Sequence, residues 1–181
     1  MTKTSTEVKS LKSKKSSVKK SALQTSNTDL IIGKKLSKLS LPMTGGKVFD
    51  LKQYEGKRIV LYFYPKDMTP GCTIEGHEFT KLVPEFKKNN TIVLGISRDS
   101  VSKHEKFIEK EKYKIDLVSD EKETACNFFN VIKEKNMYGK KVMGIERSTF
   151  VISPNGVIEH AWRKVKAEGH AQEVLNYIKS N

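Results

Sequence analysis

The chain has 181 residues, 36% of them hydrophobic and 30% charged, with a net charge of +13, which suits one soluble domain with a real core. Its longest apolar runs, such as IVLYFY at 59–64, are strand-length and far short of the roughly 20 residues that cross a bilayer. Two cysteines 54 positions apart and four histidines offer neither a disulfide framework nor a zinc site, so the expected setting is a reducing cytoplasm.

Residues 1–29 are rich in Lys, Ser and Thr without hydrophobic period, and read as a disordered basic tail. Residues 1–22 alone hold seven lysines against one acid, Glu7. Such a tail can touch nucleic acid, an anionic membrane or an acidic partner through non-specific electrostatics, but it has no interleaved aromatics, so a solvated tail is the preferred reading. The N-terminus has no apolar h-region, and residues 1–57 contain no arginine; neither a secretory signal nor a mitochondrial-type leader is expected.

The domain is expected over 30–181, as short strands interleaved with helices. LSKLSLP (36–42) reads as an edge strand ended by Pro42, and KVFDL (47–51) follows the Gly45-Gly46 turn. RIVLYFYP (58–65) has the continuous apolar character of a buried central strand. A helix is predicted over about 70–89, with a kink or break at Pro84. TIVLGIS (91–97) is a second buried strand, 100–112 a helix capped by Ser100, and IDLVSD (115–120) a short strand. A helix is predicted over 121–131, a hairpin of 147–153 and 156–165 across Pro154-Asn155-Gly156, and a last helix over about 169–179. This order predicts an α/β fold: a central mixed sheet with helices on both faces.

The stretch PKDMTPGCT holds the clearest chemistry. Thr69 is a favoured N-cap and Pro70 a favoured first helical residue, which places Cys72 in the first turn of a helix. The unpaired N–H groups and positive dipole end there favour a thiolate and can hold a peroxide or oxyanion. A small buried packing residue fits the same position.

Pro65 to Cys72 also fit the P-x-x-x-T-x-x-C active-site pattern of peroxiredoxins, and YFYPKDMTPGCT with Glu75 resembles the bacterioferritin comigratory protein (PrxQ) subfamily. The likeness continues in order through GISRDSVSKHEKF (95–107), LVSDE (117–121), MYGKKVMGIERSTFVI (137–152) and WRKVKAEGHAQEVL (162–175). It implies a thioredoxin-like fold and thiol-dependent reduction of hydrogen peroxide and organic hydroperoxides. It makes Cys72 the peroxidatic nucleophile, Thr69 the hydroxyl at thiolate and peroxide, Arg147 the active-site cation and Pro65 the shield against water. No metal, haem, flavin or nucleotide motif accompanies it, and no cofactor is expected.

The chain departs from the subfamily at its second thiol. The resolving cysteine of many members stands five positions after the first, here His77; others place it in the following helix, near Ile108. Cys126 is the only other thiol, beside Phe128 and Phe129, and reads either as buried and inert or as an unusual resolving cysteine. The leading expectation is a one-cysteine monomer, reduced by thioredoxin, glutaredoxin or a small thiol such as glutathione. Two other classes remain: a tail-mediated nucleic-acid-binding protein on the same scaffold, and a thioredoxin-type thiol–disulfide oxidoreductase. The latter is disfavoured because Glu75 stands where C-x-x-C chemistry needs a second cysteine.

Overall fold

The computed structural model describes residue 1 and residues 31–36, 39–137 and 139–181. The expected basic tail, and with it the boundary at residue 29, lies outside the described residues.

Seven strands form the main sheet: β1 (Ser40–Met43), β2 (Lys47–Asp50), β3 (Arg58–Phe63), β4 (Thr91–Ser97), β5 (Asp116–Ser119), β8 (Ser148–Ile152) and β9 (Ile158–Trp162). Their order is β2-β1-β5-β4-β3-β8-β9. β3, β4 and β5 run parallel; β1 pairs antiparallel with both β2 and β5, and β8 with both β3 and β9. Parallel strands joined by helices are buried on both faces, which is why β3 and β4 read as unbroken apolar runs. The sheet is mixed and thioredoxin-like, as expected.

Alternate residues of β3 feed two cores. Val60, Tyr62 and Tyr64 join the core built with α1 (Pro70–Lys88), α2 (Val101–Glu111) and α4 (His170–Ser180). Ile59, Leu61 and Phe63 join the opposite one, with α3 (Thr124–Phe128), Phe129 and Phe150. The helices do flank both faces, but unequally: among the described residues, α3 is the only one of four α-helices in the second core.

Several local expectations change. β1, expected as an edge strand ended by Pro42, runs through it to Met43 and lies between β2 and β5. α1 continues through Pro84 to Lys88 without the break considered for it. The helix predicted over 121–131 shrinks to five residues, Thr124–Phe128, because Glu123 (φ +56°) and Asn130 (φ +51°) flank it in left-handed conformations that helices do not propagate. Unexpectedly, β6 (Ile132–Met137) and β7 (Lys140–Ile145) pair as an antiparallel ribbon. Its described residues are mostly exposed or half-buried and lysine-rich, so it carries no apolar alternation to predict it from.

Candidate active site

The site forms where two chain segments meet at the C-terminal end of β3. Phe63 pairs with Ser148, so Arg147, one residue before β8, arrives beside the loop leading out of β3. That loop runs from Tyr64 to Thr69, the N-cap of α1, with extended backbone at φ −96° and ψ 148°. Pro70 opens the helix, and Cys72 is its third residue, buried at 2% exposure. The local signal in Thr-Pro-Gly-Cys thus specifies the observed helix start.

Arg147 Nη2 donates to Cys72 Sγ at 3.3 Å. Its Nη1 donates to Glu75 Oε2, so one guanidinium bridges two side chains one turn apart on α1. The guanidinium stays protonated and is largely sheltered, at 14% exposure, where its charge acts on its neighbours more strongly than it would in water. Gly71 gives this approach room: a Cβ there would stand 3.3 Å from Arg147 Nη2, a tight contact.

Glu75 is fully buried, and Oε1 has no hydrogen-bond partner among the described residues. Burial pushes its carboxyl up to about 7, against the pull of Arg147. Lys135, on β6, reaches the same region and donates to the Ile145 carbonyl; burial, then the neighbouring Arg147, holds its ammonium below the usual lysine value. Sequence reasoning gave neither residue a role. Glu75 carried a usable signal, because position i+3 from Cys72 lies on the same helix face and an acid there must find a cation.

Thr69 Oγ1 donates to the Lys66 carbonyl at 2.9 Å, which commits its proton and leaves its lone pairs as acceptors. Pro65 is half-buried just beyond β3. His77 does not face the sulfur: its Nε2 lies 2.9 Å from Glu111 Oε2, half exposed, and its ring stands edge-on to Tyr113. Ile108 packs partly buried against the core shared with Cys72.

Cys126 is not brought to Cys72. It is wholly buried in the other core, across the sheet. Its amide donates to Asp120 Oδ2 at 2.7 Å; burial, then the Asp120 carboxylate, pushes its thiol far up. Both cysteines are free thiols.

Residues 32–161 match the AhpC/TSA family. The chain belongs to this family, among the peroxiredoxins of the bacterioferritin comigratory protein (PrxQ) group. It is 53% identical to Peroxiredoxin Bcp of Xanthomonas campestris over 143 residues, 79% of this chain and 89% of that protein. A Xanthomonas campestris bacterioferritin comigratory protein, solved for insight into its alkyl peroxide reduction activity, superposes at a TM-score of 0.75 with 53% identity, covering 78% of this chain and 90% of that one. A Cys→Ser mutant of Xylella fastidiosa PrxQ gives 0.79 and 48%, covering 82% and 95%. The Xanthomonas protein has also been solved with serine replacing one or the other of two cysteines. As a peroxiredoxin, this chain is a thiol-dependent peroxidase, an oxidoreductase that takes peroxides as substrates and a thiol as reductant. Among the described residues, no helix is long and apolar enough to cross a membrane.

Proposed function

We propose that this peroxiredoxin reduces hydrogen peroxide and organic hydroperoxides at Cys72 by a one-cysteine cycle. The observation that carries the reading is the 3.3 Å contact of the Arg147 guanidinium with a sulfur in the first turn of α1. Cys72 thiolate attacks the terminal peroxide oxygen. An S–O bond forms as the O–O bond breaks, and the departing oxygen takes a proton and leaves as water or an alcohol. Arg147 stabilises the thiolate and the charge that moves onto oxygen. Thr69, its own proton held by Lys66, accepts a hydrogen bond from the peroxide O–H, and Pro65 keeps water from the sulfur. The alkyl peroxide reduction of the Xanthomonas protein supports the organic half of the substrate range.

The sulfenic acid is then attacked by an external thiol, of thioredoxin, glutaredoxin or glutathione. An S–S bond replaces the S–O bond, water leaves, and a second thiol releases Cys72. Three observations support an external partner. His77 stands five positions after Cys72 and carries no thiol. The spacing of the two cysteines replaced in the Xanthomonas structures, counted on from Cys72, falls on Ile108. Cys126 lies across the sheet. The protein is proposed to work as a cytoplasmic monomer. Non-reducing mass spectrometry after one equivalent of peroxide tests the cycle: a sulfenic acid or mixed disulfide at Cys72 is expected, and a dominant Cys72–Cys126 disulfide refutes it.

A further inference from the structure

A second cluster of buried polar groups lies behind the Tyr64–Thr69 loop, and the peroxidase chemistry above makes no use of it. Asp67 is its centre, with 6% exposure. Oδ1 accepts from the Tyr64 hydroxyl at 2.7 Å, and Oδ2 lies 2.8 Å from His104 Nδ1 on α2. The Asp67 amide donates to Asp99 Oδ2 at 2.9 Å, an oxygen that also accepts from Ser97 Oγ at 3.0 Å. His104 is wholly buried, with Nε2 3.2 Å from the Val118 carbonyl oxygen on β5. Asp67 thereby ties the loop to α2 through His104, which in turn reaches β5, and to the end of β4 through Asp99 and Ser97.

The next residue shows what the tie holds in place. Met68 has φ +59°, a left-handed conformation that a residue with a side chain adopts at a cost. Its side chain is substantially exposed, so packing of that side chain does not impose the conformation. Such backbone persists where its surroundings over-determine it, and here that constraint sits at Asp67. Thr69 follows as the N-cap, and Cys72 stands five residues after Asp67. The sulfur therefore takes its position from the β4 and α2 side of the molecule, whereas Arg147 takes its own from β8. Their 3.3 Å contact needs both supports.

We propose that the Asp67–His104 pair is a positioning device for the peroxidase reaction: it fixes the first turn of α1 so that Cys72 meets Arg147. This rests on Cys72 being the nucleophile. Asp67 and His104 touch neither substrate nor sulfur and act only through the placement of α1.

The test is a double-mutant cycle on the first-turnover rate of Cys72 oxidation by hydrogen peroxide, read by stopped flow well below the unfolding temperature. Asp67→Ala and His104→Leu should each slow oxidation by about 10- to 100-fold, the scale of a misplaced reacting group. In an Arg147→Lys background the same changes should cost less than about twofold, because the contact they protect is already gone. A purely structural role would lower thermal stability while leaving the folded protein's rate intact, or its effect would multiply undiminished with that of Arg147→Lys; either result overturns the proposal. If Asp67→Ala fails to fold, Asp67→Asn and Tyr64→Phe keep part of the network and should give smaller losses with the same non-additivity; unchanged rates in both overturn it. His77→Ala, which also unties α1 from α2 but at the surface, should leave the rate unchanged, and a loss equal to that of His104→Leu counts against a specific clamp. Peroxidase activity retained by Cys72→Ser would defeat both the nucleophile reading and the clamp, whereas an inactive Cys72→Ser with fully active clamp variants would defeat the clamp alone.

Discussion

The two cysteines occupy matching places and face opposite fates. Each is the third residue of its helix, Cys72 in α1 and Cys126 in α3, and each is buried. Their nearest charges differ in sign. Cys72 has the Arg147 guanidinium at 3.3 Å, whereas Cys126 has the Asp120 carboxylate, which adds to burial in disfavouring a thiolate. α1 also has 19 residues against five in α3, so its aligned peptide dipoles sum over a longer run. On the proposed reading, a first-turn position is not by itself what makes a thiol reactive; the charge that the tertiary fold brings to it decides.

The strongest way to break this comparison is to exchange the thiols' roles. Cys72→Ser should lower peroxidase turnover by about 1,000-fold or more, as expected on removing a nucleophile, while Cys126→Ser stays within about twofold of the parent in a coupled thioredoxin or glutathione assay. Similar losses in both variants would void the distinction.

Removing the cation should come next. Arg147→Ala should slow Cys72 oxidation by about 100- to 1,000-fold, the usual cost of deleting a charge-stabilising donor. A variant oxidised as fast as the parent would show that the helix terminus suffices alone.

A finer change leaves both partners in place. Gly71→Ala puts a methyl 3.3 Å from Arg147 Nη2, so the guanidinium must shift by a few tenths of an ångström. The expected loss in the oxidation rate is about three- to tenfold, with the melting temperature little altered, because the backbone there is ordinary helix.

The smallest effect concerns Glu75. Its carboxyl titrates at about 7 in the folded protein against an ordinary value of 4.5, so the folded state holds this proton more tightly than the unfolded chain. Its contribution to stability is fully present below about pH 4.5 and is lost as the pH rises through about 7. Glu75→Gln should flatten that segment of the stability curve, read as the difference in urea midpoint between about pH 5 and about pH 8. An unchanged slope would mean that another group titrates there.

Much of the framework was legible along the chain. β3 and β4 announced themselves as apolar runs of strand length, and the start of α1 was readable in Thr69-Pro70-Gly71. The ribbon β6–β7 was not, because its lysine-rich strands bury little and show no period. The shortness of α3 was hidden as well: apolar residues at 125, 126, 128 and 129 suit a longer helix until Asn130 turns left-handed. Within the site, Cys72, Thr69, Pro65 and Arg147 came from a motif and a family likeness. Asp67, Glu75 and His104 lie in the same stretches, but their pairings, and any part for Lys135, were not legible, since each depends on a partner 37 or more positions away or on burial by another element.

The sequence by itself determined that a cysteine would sit in the first turn of a helix after a buried strand, because caps, proline and apolar runs act over a few residues. Only the tertiary structure decided which thiol would meet a cation. The antiparallel pairing of β3 with β8 carries Arg147 across 75 positions to Cys72, and the packing of α3 on the opposite face of the sheet puts Cys126 in the other core. Charge acts at the distances the fold sets, and strand pairing set the one that matters here.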